Sequence, residues 1–325
     1  MKIKFLAALL IFGIQQNIAQ NIFVPKLTGN NAASLTDVVY VGKKDSVLVS
    51  KYNGQINLVL NNKKNVKEIA NLKDEVYALA YHPKSKEIIA STLGNGVFVI
   101  DFPSGKIKQK LPVKDSWTNT LRFSSDFKYL IGQNQNKQTI LWEVGKNYKK
   151  VELDSKFPSG TTIDIKDNTA TVFGIKKMVK WDINTNLETE SREVEVSFFS
   201  DIDKQNNIAS IYLNEFIIYD YNKKKSTFKL RHPDYKYTNG GTGKKEEFTD
   251  EISLGISSVK FCKDFILSSG ADNSFRIWNK NTGKLLKTFW EHKRTVNKIV
   301  CSEDQSQVVT IDLGGGIYFR DVNSF

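Results

Sequence analysis

The chain has 325 residues, 40% hydrophobic and 25% charged, proportions of a folded globular protein that exclude global disorder. Its formal charge is +12, yet only six of its 47 basic residues are arginine. Arginine is the side chain suited to bidentate recognition of phosphates and base edges, so a lysine charge spread along the whole chain reads as a solvated surface and argues against nucleic acid as the partner.

Lys2 and Lys4 open the chain, an apolar run occupies residues 5–14, and a polar QQN leads to Ile18 and Ala19. This is the layout of a secretory signal peptide cleaved after Ala19. The run is too short to span a bilayer, which needs about 20 apolar residues. No cysteine stands at the cleavage point to carry a lipid. The expectation is an exported protein, periplasmic or secreted, with a leader at 1–19 and one domain at 20–325. The chain has no Asn-x-Ser/Thr site, which fits bacterial export slightly better than the eukaryotic route.

Seven units follow, each with an apolar strand, a polar turn, a second apolar strand, a tight turn and a third strand ending beside a carboxylate or amide. They begin with LTDVVYVGKKDSVLVSKYNGQINLVLNN, whose third strand is the most eroded, and VYALAYHPKSKEIIASTLGNGVFVID at 76–101. Units holding Trp142-Glu143, Trp181-Asp182, Tyr219-Asp220, Trp278-Asn279 and finally IYFRDV come after them. Taking Val38, Leu79, Leu121, Ile163, Ser200, Val259 and Ile299 as equivalent first-strand positions gives steps of 41, 42, 42, 37, 59 and 40 residues. A period of about 40–45 residues with four strands per unit is the signature of propeller blades.

These residues resemble the WD40-repeat family. SSGADNSFRIWNKNTGKLLKTF at 268–289 follows its motif with Trp278-Asn279 for Trp-Asp, Trp181-Asp182 matches outright, Glu291-His292 stands for Gly-His, and His82-Pro83 falls at the Ser-Pro turn. The resemblance covers nearly all of residues 22–325 and implies an all-β, seven-bladed β-propeller of four-stranded blades. The family's buried His–Ser/Thr–Asp–Trp network is complete in no unit by sequence: Asp272 takes the turn aspartate, but Gly314 stands there in the last unit. Because stacked blades cover both faces of each sheet, the strands read as apolar runs rather than alternation. The last unit has three strands, so residues 22–27 are expected to supply the fourth, with Pro25 tolerated on an edge. An open array would leave exposed strand edges.

Candidate chemistry is sparse. Cys301 aligns with Phe261 and Cys262 lies one residue further, so the two thiols are expected on opposite strand faces, as small buried hydrophobes without a disulfide. His82, His232 and His292 fall in different units without CxxC, HxH or HExxH spacing, and no metal ligand set or cofactor is expected. His292 is expected to hydrogen-bond within its own turn. Asp164 and Asp201 are placed near the central channel on neighbouring inner strands, paired with lysine or solvated. The glycine runs 240–243 and 314–316 lack the GxxxxGK[ST] pattern of a phosphate loop. No catalytic residue is assigned.

An insertion at about 233–253, PDYKYTNGGTGKKEEFTDEIS, joins units five and six and reads as an adaptable or mobile loop. Tyr235, Tyr237 and Phe248 would be its aromatic anchors. Trp117, Trp290 and Arg294 are placed at connections on the same face. The resemblance implies a monomeric, non-catalytic scaffold that binds a protein or peptide there. The alternatives are a propeller hydrolase using metal or carboxylates at the channel mouth, and a basic surface that gathers anionic polymers.

Overall fold

A computed structural model describes residues 34–61, 65–111, 113, 117–240 and 247–325. Each unit forms one antiparallel sheet with its strands in sequence order; six sheets have four strands and the last has three among the described residues. The leader and the strand expected at 22–27 lie outside the described residues. Second strands such as Glu87–Thr92, Tyr129–Asn134 and Gln307–Asp312 are buried at every position, as a sheet covered on both faces requires. Outer strands such as Leu187–Glu193 are largely exposed and carry the charges.

The apolar core is divided among the blade interfaces. Seven clusters of buried side chains each join two consecutive blades. One of them packs Leu35, Val38, Val47, Val49 and Val59 of blade one against Val309 and Ile311 of blade seven. At the same junction Asn297 Nδ2 donates to Leu35 O at 3.0 Å, Gln307 Nε2 donates to Asp45 Oδ1 at 3.0 Å, and Lys298 pairs with Asp37 at 2.8 Å. The ring is therefore closed, and the open array is excluded.

All seven inner strands, Leu35–Tyr40, Val76–His82, Thr118–Phe123, Thr161–Lys166, Phe199–Ile202, Ile256–Cys262 and Val296–Cys301, carry a register shift near their first residue. Aligning the blades on this bulge corrects two of the repeat markers. Ile165 and Ile202, not Ile163 and Ser200, are equivalent to Val38; Ile163 and Ser200 are the bulged residues themselves. Sequence alternation preserves side-chain parity over a shift of two, so the apolar pattern alone did not fix this choice.

The cysteines also require correction. Cys262 and Cys301 form a disulfide, with Cα atoms 6.0 Å apart. The parity argument was sound, but its conclusion was inverted. Consecutive blades stack face to face, so a side chain leaving one face of blade six meets one leaving the opposite face of blade seven. Both residues end the inner strands of neighbouring blades, beside a cluster holding Leu267, Ile277, Ile299 and Val308.

The insertion is a β-hairpin rather than a loop. Tyr235–Gly240 pairs antiparallel with Glu247–Ile252, in the register Tyr235↔Ile252, Tyr237↔Asp250 and Asn239↔Phe248. Its base is clamped by Asp234, which accepts from Asn214 Nδ2 at 3.0 Å, Arg231 Nη2 at 2.7 Å and Ser253 Oγ at 2.6 Å.

Candidate functional site: one apolar face

Antiparallel blades send two kinds of connection to one end of the propeller: the turns between second and third strands, and the links from one blade to the next. The two are hydrogen-bonded together, as in Tyr52 N to Ser34 O (2.9 Å), Leu93 N to Glu75 O (2.9 Å) and Leu313 N to Thr295 O (3.1 Å). We term this end the upper face.

Exposed large apolar residues are distributed unevenly. Val66, Ile107, Leu187, Leu285 and Leu286 lie in outer strands. The others, Tyr52, Leu93, Ile175, Phe198, Tyr212, Leu213, Trp290 and Leu313, all lie on the upper face, whereas Val66, Ile107, Leu187 and Leu285 open their outer strands at the lower end. Five of these occupy one structural position, the residue directly after the second strand: Tyr52, Leu93, Ile175, Leu213 and Leu313, with Gln135 and Ala271 at the other two. Isolated apolar residues on a surface need no explanation, but a ring of them at one turn position does.

Three sectors make up the ring. In the first, Tyr77 lies between Tyr52 (6.0 Å between centroids) and Trp117 (4.3 Å), and Trp117 Nε1 donates to Gln135 Oε1 at 3.2 Å. Burial, with a 2.9 Å hydrogen bond to Glu75, pushes the Tyr77 hydroxyl well above its ordinary value. In the second, Phe198 stacks on Tyr212 at 6.0 Å beside Leu213 and Ile175. In the third, Trp290 is 62% exposed and lies over the guanidinium of Arg276 at 5.4 Å, while Arg294 is half-buried against Gly314.

Trp117 and Trp290 thus share the upper face but stand in different sectors, at the junctions of blades two and three and of blades six and seven. The hairpin leaves the same face between blades five and six. Register places Tyr235, Tyr237 and Phe248 at positions on one of its sides. Sequence reading missed Tyr52, Tyr77, Leu93, Ile175, Phe198, Tyr212, Leu213 and Leu313. The available signal was the repeated apolar residue at the head of each second turn, where turn residues are ordinarily polar.

Beneath the third sector all four residue types of the network judged incomplete in every unit are present in blade six, with Arg276 inserted between the aspartate and the histidine, which are 3.7 Å apart. His232 Nε2 meets Ser268 Oγ at 2.7 Å, and Trp278 Nε1 donates to the same oxygen at 2.8 Å. Asp272 pairs with Arg276 at 2.7 Å, and Arg276 Nη1 also donates to His232 Nδ1 at 2.7 Å, which leaves the histidine proton on Nε2. His232 lies ahead of the insertion, so its distance in sequence from Ser268 concealed it. In blade seven Asp312 acts from two residues upstream of Gly314: its Oδ1 accepts from Gly314 N at 2.7 Å and Gly316 N at 2.8 Å, and its Oδ2 lies 2.8 Å from His292 Nδ1. His292 Nε2 meets Thr310 Oγ1 at 2.8 Å, so its bonds reach blade seven rather than staying within its own turn.

Burial pushes the imidazole of His232 below its ordinary value near 6.5. Although burial opposes it, hydrogen bonding together with the Arg276 cation holds Asp272, and hydrogen bonds from His292, Gly314 and Gly316 hold Asp312, below the ordinary 3.8. An unfolded chain takes up these protons more readily than the folded one in every case, so stability falls as pH falls. Unfolding in urea should show a first decline below about pH 6.5 and a steeper one below about pH 4. His232→Gln should flatten the first part; an unchanged wild-type midpoint between pH 7.5 and 5.5 would contradict a neutral buried His232.

The channel carboxylates are engaged in blade-to-blade bonds. Asp201 accepts from Lys260 Nζ at 2.9 Å and Phe261 N at 2.8 Å, and Asp164 accepts from Ser125 N at 2.8 Å. Asp37 accepts from Leu79 N at 2.9 Å besides its pairing with Lys298. Each joins its own blade to a neighbour. Among the described residues no group of three or more His, Cys, Asp or Glu side chains is arranged to hold a metal ion, and no helix is long and apolar enough to cross a membrane.

No protein-family model and no curated protein sequence matches the chain. In structure it is similar to the WD40 beta propeller domain of Doa1, with a TM-score of 0.66 and 13% identity over 90% of this chain and 94% of that one. At that identity the likeness is one of fold: the protein is a seven-bladed β-propeller of the WD40 type, as its repeat resembles.

Proposed function

We propose that the protein is an exported, non-catalytic scaffold that captures a partner polypeptide on its upper face. The observation that carries this is the ring of exposed apolar side chains at a single turn position on that end of the propeller. Such a patch costs solubility when bare and gains free energy when a partner covers it. The hairpin stands at the rim of the same face, where Tyr235, Tyr237 and Phe248 would add contacts. Trp117, Trp290 and Arg294 belong to the side-chain types enriched at interface cores and hot spots. The disulfide supports export, because such bonds persist in oxidising compartments. The channel carboxylates already have cationic and backbone partners, which favours a structural part for them over hydrolysis.

The test is capture from native extract. A variant with Leu93, Ile175, Leu213 and Leu313 all changed to serine should lose its co-purifying partner while keeping its circular dichroism spectrum. A control with Ile107, Leu187 and Leu285 changed to serine on the outer strands should retain it. Equal capture by both variants would remove the upper face from consideration.

A further inference from the structure

Three cavities flank blade four. The one on the upper face, about 650 Å³, lies between the link entering blade four and the link entering blade five. Its floor is apolar, with Phe173, Val179 and Phe199, and two strongly exposed side chains, Ile175 (82%) and Phe198 (48%), border it. The Phe198–Tyr212 stack extends this border toward Leu213, making the second sector the most exposed part of the apolar ring. Gly160 allows the entering link to lie against blade four: a side chain there would put its Cβ 2.3 Å from Phe173 O.

The rim is cationic. Lys137 and Lys156 both line the cavity, and neither pairs with a carboxylate among the described residues. A third lysine, Lys177, is held by Glu188 at 3.3 Å. An apolar slot bordered on its blade-three side by two uncommitted ammonium groups complements an extended strand that alternates carboxylates with large apolar side chains. A basic or uncharged segment would fill the slot without satisfying the rim.

Resting on the reading of the upper face as a capture surface, we infer that the cleft beside blade four is the recognition centre for an acidic, extended segment of the partner, with an apolar side chain set between Ile175 and Phe198 and carboxylates on Lys137 and Lys156. The charged part of this contact is solvent-exposed and weakens with salt, while the apolar part does not.

The probe is a fluorescein-labelled decapeptide alternating glutamate with leucine and phenylalanine, compared with the same peptide bearing lysine at each glutamate, by anisotropy against the mature protein. The acidic peptide should bind and the basic one should not. Lys137→Glu with Lys156→Glu, and separately Ile175→Ser with Phe198→Ser, should each weaken binding by about tenfold or more. All four residues are solvent-accessible, so folding should be retained; the control Ile107→Ser, on an outer strand away from the upper face, should bind as wild type. Binding lost in Trp290→Ser but unchanged in both cleft variants would overturn the cleft while leaving the capture face standing. Equal binding of both peptides, or of neither, would overturn the acidic segment, and extract capture by the serine-ring variant decides the face separately. Self-association in sedimentation that disappears when residues 235–251 are replaced by a short turn would make a second copy the occupant and overturn the partner segment.

Discussion

Asp272→Ala is expected to lower the unfolding free energy by about 3–5 kcal/mol, among the largest effects of any single substitution in the molecule. The carboxylate and the guanidinium of Arg276 are 2.7 Å apart, and both side chains are almost wholly buried. Removing the carboxylate leaves a cation with no opposite charge in a site closed by Trp278, His232 and Trp290. It also strips Ser274 of the acceptor its hydroxyl reaches at 2.7 Å. The pair itself need not stabilise the fold relative to an apolar pair, because both ions lost their hydration on burial. The double variant Asp272→Ala, Arg276→Leu should therefore recover much of the loss, and the interaction energy of that cycle measures the coupling. Urea unfolding with an unchanged slope is the measurement. A loss below about 1 kcal/mol for Asp272→Ala alone, in the range of an exposed pair, would mean that water reaches the arginine.

The same residues show how much of this molecule could be read from its sequence. Period, strand count and ring architecture were legible because every blade repeats the same apolar runs, and the seven interface clusters depend on those runs. The network in blade six was not legible, because its histidine lies on the far side of the insertion at 233–253, whose length hides the pairing of His232 with Ser268. In blade seven the turn aspartate had moved two residues, from the position of Gly314 to Asp312, and its bond to His292 survived the move. Trp117 and Trp290 stand on the upper face, as their position before inner strands implies. The apolar ring was missed because its members are ordinary residues one at a time. Only their common position after the second strand, visible once the bulges fix the register, sets Tyr52, Leu93, Ile175, Leu213 and Leu313 apart.

Removing the Cys262–Cys301 bond is expected to cost about 4 kcal/mol, through the unfolded chain more than the folded one. The bond closes a loop with a sequence separation of 39 residues, and the entropy lost by an unfolded chain so constrained corresponds to about that amount at 25 °C. In the folded state the two strands are already held side by side by Val308, Leu267, Ile277 and Ile299, so little native contact is lost when the sulfurs part. The double variant Cys262→Ala, Cys301→Ala should therefore keep the native circular dichroism spectrum and the upper-face binding activity. Its urea midpoint should fall, with a slope changed only as far as the freed chain expands. Reduction of the wild type with dithiothreitol under denaturing conditions, followed by refolding in the reduced state, should give the same loss. Thiol titration of the native protein should find no reactive sulfhydryl; two free thiols, or a double variant as stable as the wild type, would refute the staple. Because the bond joins blades six and seven, next to the junction that closes the ring on blade one, its loss should also speed hydrogen exchange in the inner strand Val296–Cys301 more than in Val76–His82, which lies in blade two, away from that bond.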